Sequence, residues 1–267
     1  MTTLFNAVLA LSRKLTAVRS GTADAGGSTT TLVDADRYEE DEFWIDGTIL
    51  NITNTEWARI TDYDNTSGTF TYGTLTTAAE GDKYAAIVPK FPLDTLIESI
   101  NAVLQEIKYP TEDYTSLDTA TNTTEYTLPV GVNRRTLRQV LYQRNNSDAS
   151  DHDWKIMRNW YVRPKGIGNQ EVLVLESAVD AGMDLNLIYT KNHPYLDDLT
   201  DEISEYIPLE RWLAPAALHA VESRFNFSSG AKYEKDKIAR LERESMEARK
   251  AIIPLPPFKG RLKAKWA

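Results

Sequence analysis

The chain has 267 residues, 42% of them apolar and 10% aromatic, a globular composition long enough to bury a substantial core. It contains no cysteine, which excludes disulfides, thiolate zinc sites and thiol nucleophiles together and suits a reducing compartment. The net charge of −9 is uneven: residues 1–20 carry three bases and no acid, residues 251–267 four bases and no acid, and the stretch between holds 23 bases against 39 acids.

Leu4, Val8, Leu11 and Leu15 recur at helical spacing and predict an N-terminal helix within residues 1–20. No basic residue precedes its apolar stretch and no small-residue cleavage site follows, so a signal peptide is not expected. Nor does any run of about 20 apolar residues mark a membrane span, and the chain is expected to be soluble. Residues 21–90 read as a β module, a small barrel or sandwich. Its short runs, Thr48–Ile52, Trp57–Thr61, Thr69–Tyr72 and Tyr84–Val88, alternate with turn clusters at Asp46-Gly47, Asp62–Gly68 and Glu80–Asp82. Residues 91–110 read as a helix with Leu93, Leu96, Ile97, Ile100 and Leu104 on one face, stopped ahead of Pro110.

A second β sandwich module is predicted over residues 111–195, its clearest strands being Trp154–Trp160, Glu171–Glu176 and Met183–Tyr189. Residues 196–250 read as a helical hairpin. Pro208 opens its first helix, Pro215 sits inside it, and the second helix carries the narrow seam Ile238, Leu241, Ser245 and Ala248 among i,i+4 charge pairs. Three prolines within Pro254–Pro257 then impose an extended path on residues 251–267. The element order predicts an α+β fold: a helical bundle with two inserted antiparallel β modules, each a small barrel or sandwich, and an extended C-terminal tail.

Catalytic motifs are missing. Gly166-Ile167-Gly168 lacks the third glycine of a dinucleotide loop, there is no Walker loop, no Gly-x-Ser-x-Gly elbow and no His-Glu-x-x-His pair. The three histidines, at 152, 193 and 219, lie far apart in sequence. Asp62–Gly68 alternates oxygen ligands before a glycine but completes no calcium set, and reads as a hairpin turn; Glu39–Glu42 reads as a solvated face. No two of the 39 acids stand out as a glycosidase pair. The chain is therefore expected not to be an enzyme and to need no cofactor and no metal.

The tail is the sharpest functional signal. Ile252, Ile253, Leu255, Phe258, Leu262 and Trp266 are interleaved with Lys259, Arg261, Lys263 and Lys265, too apolar for a free solvated arm and too short to fold alone. Such segments order on a partner, and these ten residues are the candidate docking set.

Three stretches, Gly26–Asp34, Phe43–Leu50 and Ala58–Asp64 with Gly68–Thr71, resemble a small β module found in virion proteins of tailed bacteriophages. The layout of the remainder resembles head-to-tail adaptor (neck or connector ring) proteins. That resemblance implies a structural protein in the virion neck, assembled in the host cytoplasm. It implies a homo-oligomeric ring, commonly of twelve copies, between portal and tail. The C-terminal tail would reach onto the portal protein, tail or nozzle proteins would lie on the other side, and packaged DNA would pass through without specific binding. An acidic body suits such a channel, since like charges repel. The alternatives are a tail-tip or fibre-attachment protein, or a carbohydrate-binding decoration module using Trp154 and Trp160.

Overall fold

The structure is a computed structural model, which describes residues 2–120, 122–143, 154–164, 171–178, 182, 184–224, 232–251 and 253, with backbone alone for 232–234. The chain begins with β1 (Thr2–Thr3), α1 (Leu4–Lys14), β2 (Val18–Thr22), β3 (Thr31–Val33), β4 (Thr48–Asn51), β5 (Glu56–Asp64), β6 (Thr69–Tyr72), β7 (Lys83–Ile87) and α2 (Leu93–Glu106). There follow β8 (Lys108–Asp113), β9 (Glu125–Thr127), β10 (Leu137–Gln143), β11 (Trp154–Ile156), β12 (Trp160–Pro164), β13 (Glu171–Leu175) and β14 (Leu185–Asn192). The last described elements are β15 (Glu202–Ile203), α3 (Leu209–Arg224) and α4 (Lys232–Lys250). They form two compact units: residues up to Glu106 with Pro194–Ala251, and Ile107–His193.

In the first unit a six-stranded antiparallel sheet runs β2-β7-β4-β5-β6-β3. Its two edges are tied at one end, where Asp24 N–H donates to Val33 C=O at 2.7 Å and the Asp24 carboxylate accepts Ala35 N–H at 2.8 Å. Trp44, Phe70, Tyr63 and Tyr84 fill the interior with Ile49 and Ile60. Phe70 is the hub, 4.9 Å from Tyr63, 5.6 Å from Tyr84 and 6.0 Å from Trp44 between ring centroids.

The helices of this unit bury one stripe each: Leu4, Phe5, Val8 and Leu11 on α1, Leu93, Leu96, Ile100 and Leu104 on α2, and Trp212, Ala216, Ala217 and Ala220 on α3. Thr3 caps α1 by accepting Asn6 N–H at 3.4 Å. The helix ends at Lys14, before the end of the 1–20 segment predicted for it. Thr16 takes the left-handed conformation at φ 54°, its N–H reaches Arg13 C=O, and Ala17 N–H returns to Ser12 C=O at 2.9 Å. This closing turn sends Val18–Thr22 into the sheet. Pro215 lies inside α3, where it withholds a ladder hydrogen bond from the Arg211 carbonyl.

The second unit faces a four-stranded sheet, β11-β10-β14-β8, against a three-stranded one, β12-β13-β9. Both contribute to one core, with Tyr126 of β9, Val140 of β10, Leu173 and Leu175 of β13, and Leu185 and Leu187 of β14. The run predicted as one strand, Trp154–Trp160, is broken. Trp154–Ile156 pairs with β10, Met157 N–H makes a last bond to Val140 C=O, and Trp160–Pro164 pairs with β13 in the other sheet.

A helical bundle with two inserted β modules is thus not the architecture. The chain is mainly sheet, four sheets in all among the described residues, beside four helices of 11 to 19 residues. The difference comes from short strands whose partners are remote in sequence. Thr2–Thr3 pairs with Glu202–Ile203, Val18–Thr22 with Lys83–Ile87, and Lys108–Asp113 with β14. Such strands carry too few residues to show a period of two, and their pairing is set by tertiary contacts. No helix among the described residues is long and apolar enough to cross a membrane.

Candidate functional site

Nine of the ten predicted docking residues, Ile252, Leu255, Phe258, Lys259, Arg261, Leu262, Lys263, Lys265 and Trp266, lie outside the described residues; Ile253 is described and half-buried. What the structure adds is the platform before them. α4 buries Leu241, Ser245 and Ala248 and leaves its remaining faces to charge. It is held on the first unit by Lys237 Nζ, which donates to Leu15 C=O at 2.6 Å, and by an ion pair between Lys14 and Glu244. Hydrogen bonds from Lys14 and Arg240 hold the Glu244 carboxyl below its usual range. The basic residues Arg13 and Lys14 fall in the last turn of α1, where they also complement the helix dipole.

The first unit carries an open groove of about 600 Å³. Trp57 and Ile97 form apolar parts of its wall, Trp57 being 43% exposed. Four carboxylates, Glu56, Asp94, Asp197 and Asp198, share the lining. Each is placed by a different local cause. Glu56 opens β5 and accepts two bonds from Thr76, at 2.8 Å from N–H and 2.7 Å from the hydroxyl, which hold its carboxyl low. Asp94 sits in the first turn of α2, where the helix dipole favours an acid. Asp198 accepts the Thr200 N–H and hydroxyl, both at 2.8 Å, and its carboxyl is held low by them.

The segment carrying Asp197 and Asp198 is fixed by Asn101 of α2. Asn101 is buried, donates to Leu196 C=O at 2.7 Å and accepts Leu196 N–H at 2.8 Å, a pair of bonds that mimics a strand ladder. The chain returning at residue 194 is thereby pinned along the helix that bears Asp94. Among the described residues no lysine or arginine forms an ion pair with any of the four carboxylates. The groove is therefore apolar in part and acidic, with no base paired to it among the described residues.

A second, smaller surface lies at the 38–44 loop. Tyr38 and Phe43 are exposed there, beside a pocket of about 130 Å³ that Trp44 and Glu39 also line. Trp44 Nε1 is buried and finds no acceptor among the described residues. The loop is held by a buried polar cluster. The Tyr84 hydroxyl donates to Asp34 at 2.6 Å and accepts from Arg37 Nε at 2.6 Å, while Arg37 also lies 3.3 Å from Asp34 and 3.5 Å from Glu39. Burial, then the bond to Asp34, pushes the Tyr84 phenol far up, so it remains a donor. A side chain at position 21 would strike this cluster, coming within 2.7 Å of both Arg37 Nη2 and the Tyr84 ring, which explains Gly21.

The other sequence candidates occupy structural positions. Asp62–Gly68 joins β5 to β6: the Asp64 carboxylate accepts Thr66 N–H and the Ser67 hydroxyl at 2.8 Å, and Gly68 turns at φ 62°. His219 Nδ1 lies 3.1 Å from Ser99 Oγ between α3 and α2. His193 is buried with its ring 5.7 Å from Tyr109. His152 and Gly166–Gly168 lie outside the described residues. Trp154 is buried with Leu141 and Ile188, and Trp160 packs at the edge of the sandwich core, so the two do not share one strand face. Among the described residues no three histidines or acids are grouped to hold a metal ion. Sequence reasoning missed the groove, because its carboxylates come from three separate segments and only Asp197-Asp198 are neighbours in the chain.

Compared with known proteins, the chain matches no family model and no curated sequence.

Proposed function

We propose that the chain is a structural virion protein of a tailed phage, a homo-oligomeric ring in the neck between portal and tail. In this reading it docks to neighbouring protein chains through residues 251–267, lets packaged DNA pass without gripping it, and works without catalysis. The observation that carries the reading is the tail itself: six large apolar side chains and four bases without one acid, appended to a body with 16 more acids than bases. A segment of that chemistry gains its ordering energy on another chain's surface. Two features of the body support it, namely a helix, α4, that among the described residues buries only the narrow seam Leu241, Ser245 and Ala248, and a groove lined by four carboxylates.

The test is the molar mass in solution of the full chain and of a version ending at Ile253, each with and without a candidate portal protein. The reading expects the full chain to join the portal in a ring-sized complex and the shortened chain to fail. Equal behaviour of the two, or indifference to portal, removes the neck assignment and turns attention to the tail tip.

A further inference from the structure

We infer that the groove bounded by Glu56, Trp57, Asp94, Ile97, Asp197 and Asp198 is the seat for the 252–267 tail of a second copy of this chain. The inference rests on the ring reading in one respect, that copies lie side by side; it does not depend on the portal.

The argument is one of matching chemistry. The groove presents four carboxylates, none paired with a base among the described residues, around an exposed tryptophan and an isoleucine. The tail presents Lys259, Arg261, Lys263 and Lys265 with Phe258, Leu262 and Trp266 between them, and no acid to oppose the groove. Hydrogen bonds from Thr76 and Thr200 hold the carboxyls of Glu56 and Asp198 below their usual range, so these two are charged at neutral pH. An arginine or lysine seated there exchanges water for a carboxylate beside an aromatic face, a setting in which cation–π contact adds to charge pairing. Exposed apolar area of this kind, rimmed by polar groups, marks an interaction site.

Geometry favours exchange between copies. A ring is closed by a heterologous interface, in which one patch of each subunit meets a different patch of the next. Groove and tail are two such patches, complementary and distinct. Sixteen residues in extended conformation reach about 50 Å, enough to cross from the end of α4 onto a neighbouring subunit.

The absence of cysteine makes a direct test possible. One version of the full chain carries Thr74→Cys, at the groove margin; a second, distinguishable by mass, carries Ala264→Cys. The two are mixed and oxidised, and the disulfide between unlike chains is quantified. A Val130→Cys version, altered at a site 98% exposed in the second unit, serves as the control partner. Docking raises local concentration into the millimolar range, so the groove–tail cross-link is expected about tenfold or more above control. Combining Asp197→Asn and Asp198→Asn with Thr74→Cys is expected to return it toward control, as is 1 M salt, where the screening length falls to about 3 Å.

If the full chain assembles in rings or with portal while the cross-link stays at control level, the groove proposal falls and the ring reading stands. If the chain remains monomeric at every concentration, both fall. A chain carrying both cysteines that closes on itself, with no link between unlike chains, overturns the exchange and assigns the groove to the chain's own tail.

Discussion

Thr16 is a threonine where the backbone asks for glycine. At φ 54° it closes α1 with both hydrogen bonds of a Schellman turn, and a β-branched side chain in that region is strained by about 1–3 kcal/mol. Thr16→Gly removes the strain and returns part of the gain as chain entropy. The expected result is a protein about 1 kcal/mol more stable, read as a higher urea midpoint with unchanged slope. An unchanged or lower midpoint would mean that the Thr16 hydroxyl, 2.6 Å from Leu15 C=O, compensates the conformation. The same residue explains why the helix end was illegible: the sequence offers no glycine there, and Ala17-Val18 continue an apolar pattern that helix and strand share. The cluster at Tyr84 was equally hidden, since Asp34 and Tyr84 are fifty residues apart. Tyr84→Phe deletes the one hydroxyl that bridges Asp34 and Arg37 and leaves their remaining contact longer. A loss of about 1–3 kcal/mol is expected in the same assay. A neutral outcome would show that Arg37 and Asp34 close directly on each other.

At the scale of elements, amphipathic periodicity was a sound guide wherever a segment was long. The faces of α2, α3 and α4 lie where Leu96, Trp212 and Leu241 place them, and β5 follows the alternation through Ala58 and Ile60 until a register shift between Ile60 and Asp62 brings Tyr63 into the core. Short strands were found where β-branched and aromatic runs mark them, as at Thr69–Tyr72 and Glu171–Leu175, but not at Thr2–Thr3, Val18–Thr22 or Lys108–Asp113, and Trp154–Trp160 hides a change of sheet. The tail was singled out by its composition alone, and its predicted docking residues, Ile253 apart, lie outside the described residues. The groove was not singled out, since no local pattern announces that residues 56, 94 and 197 meet. α4 has the narrowest apolar seam of the four helices, and its attachment leans on charge. Glu244 has its carboxyl held low by hydrogen bonds from Lys14 and Arg240, so its contribution is present above the ordinary value of 4.5 and is lost as pH falls below it. Both partners are about a quarter to a third exposed, which keeps the effect on global stability under about 1 kcal/mol. Amide exchange along α4 is the sharper readout. Glu244→Gln is expected to speed exchange in α4 at pH 7, with the gap to the parent narrowing as pH falls further below 4.5; a gap that is the same at every pH would assign the effect to packing.

For the whole molecule, the distribution of charge matters more than its sum. Between residues 21 and 250 acids exceed bases by 16, whereas residues 1–20 and 251–267 carry three and four bases and no acid. A duplex near such a body meets net repulsion, and the tail's four cations are the longest stretch of attraction it is offered. Binding through four phosphate contacts gives a slope of log affinity on log salt no steeper than about −4, and leaves little affinity at physiological ionic strength. The expected observation is therefore no retention of duplex DNA by the full chain at 0.15 M salt. Weak retention at 0.01 M should vanish in the version ending at Ile253. A slope near −8, or retention that survives truncation, would mean that a basic face is assembled from residues of the body, and the proposed passage of DNA without binding would fall. If instead the tail is already seated in a neighbour's acidic groove, its cations are neutralised before DNA arrives. Retention at low salt would then be weaker for the assembled chain than for the free tail peptide, and Asp197→Asn with Asp198→Asn, by releasing the tail, would increase it.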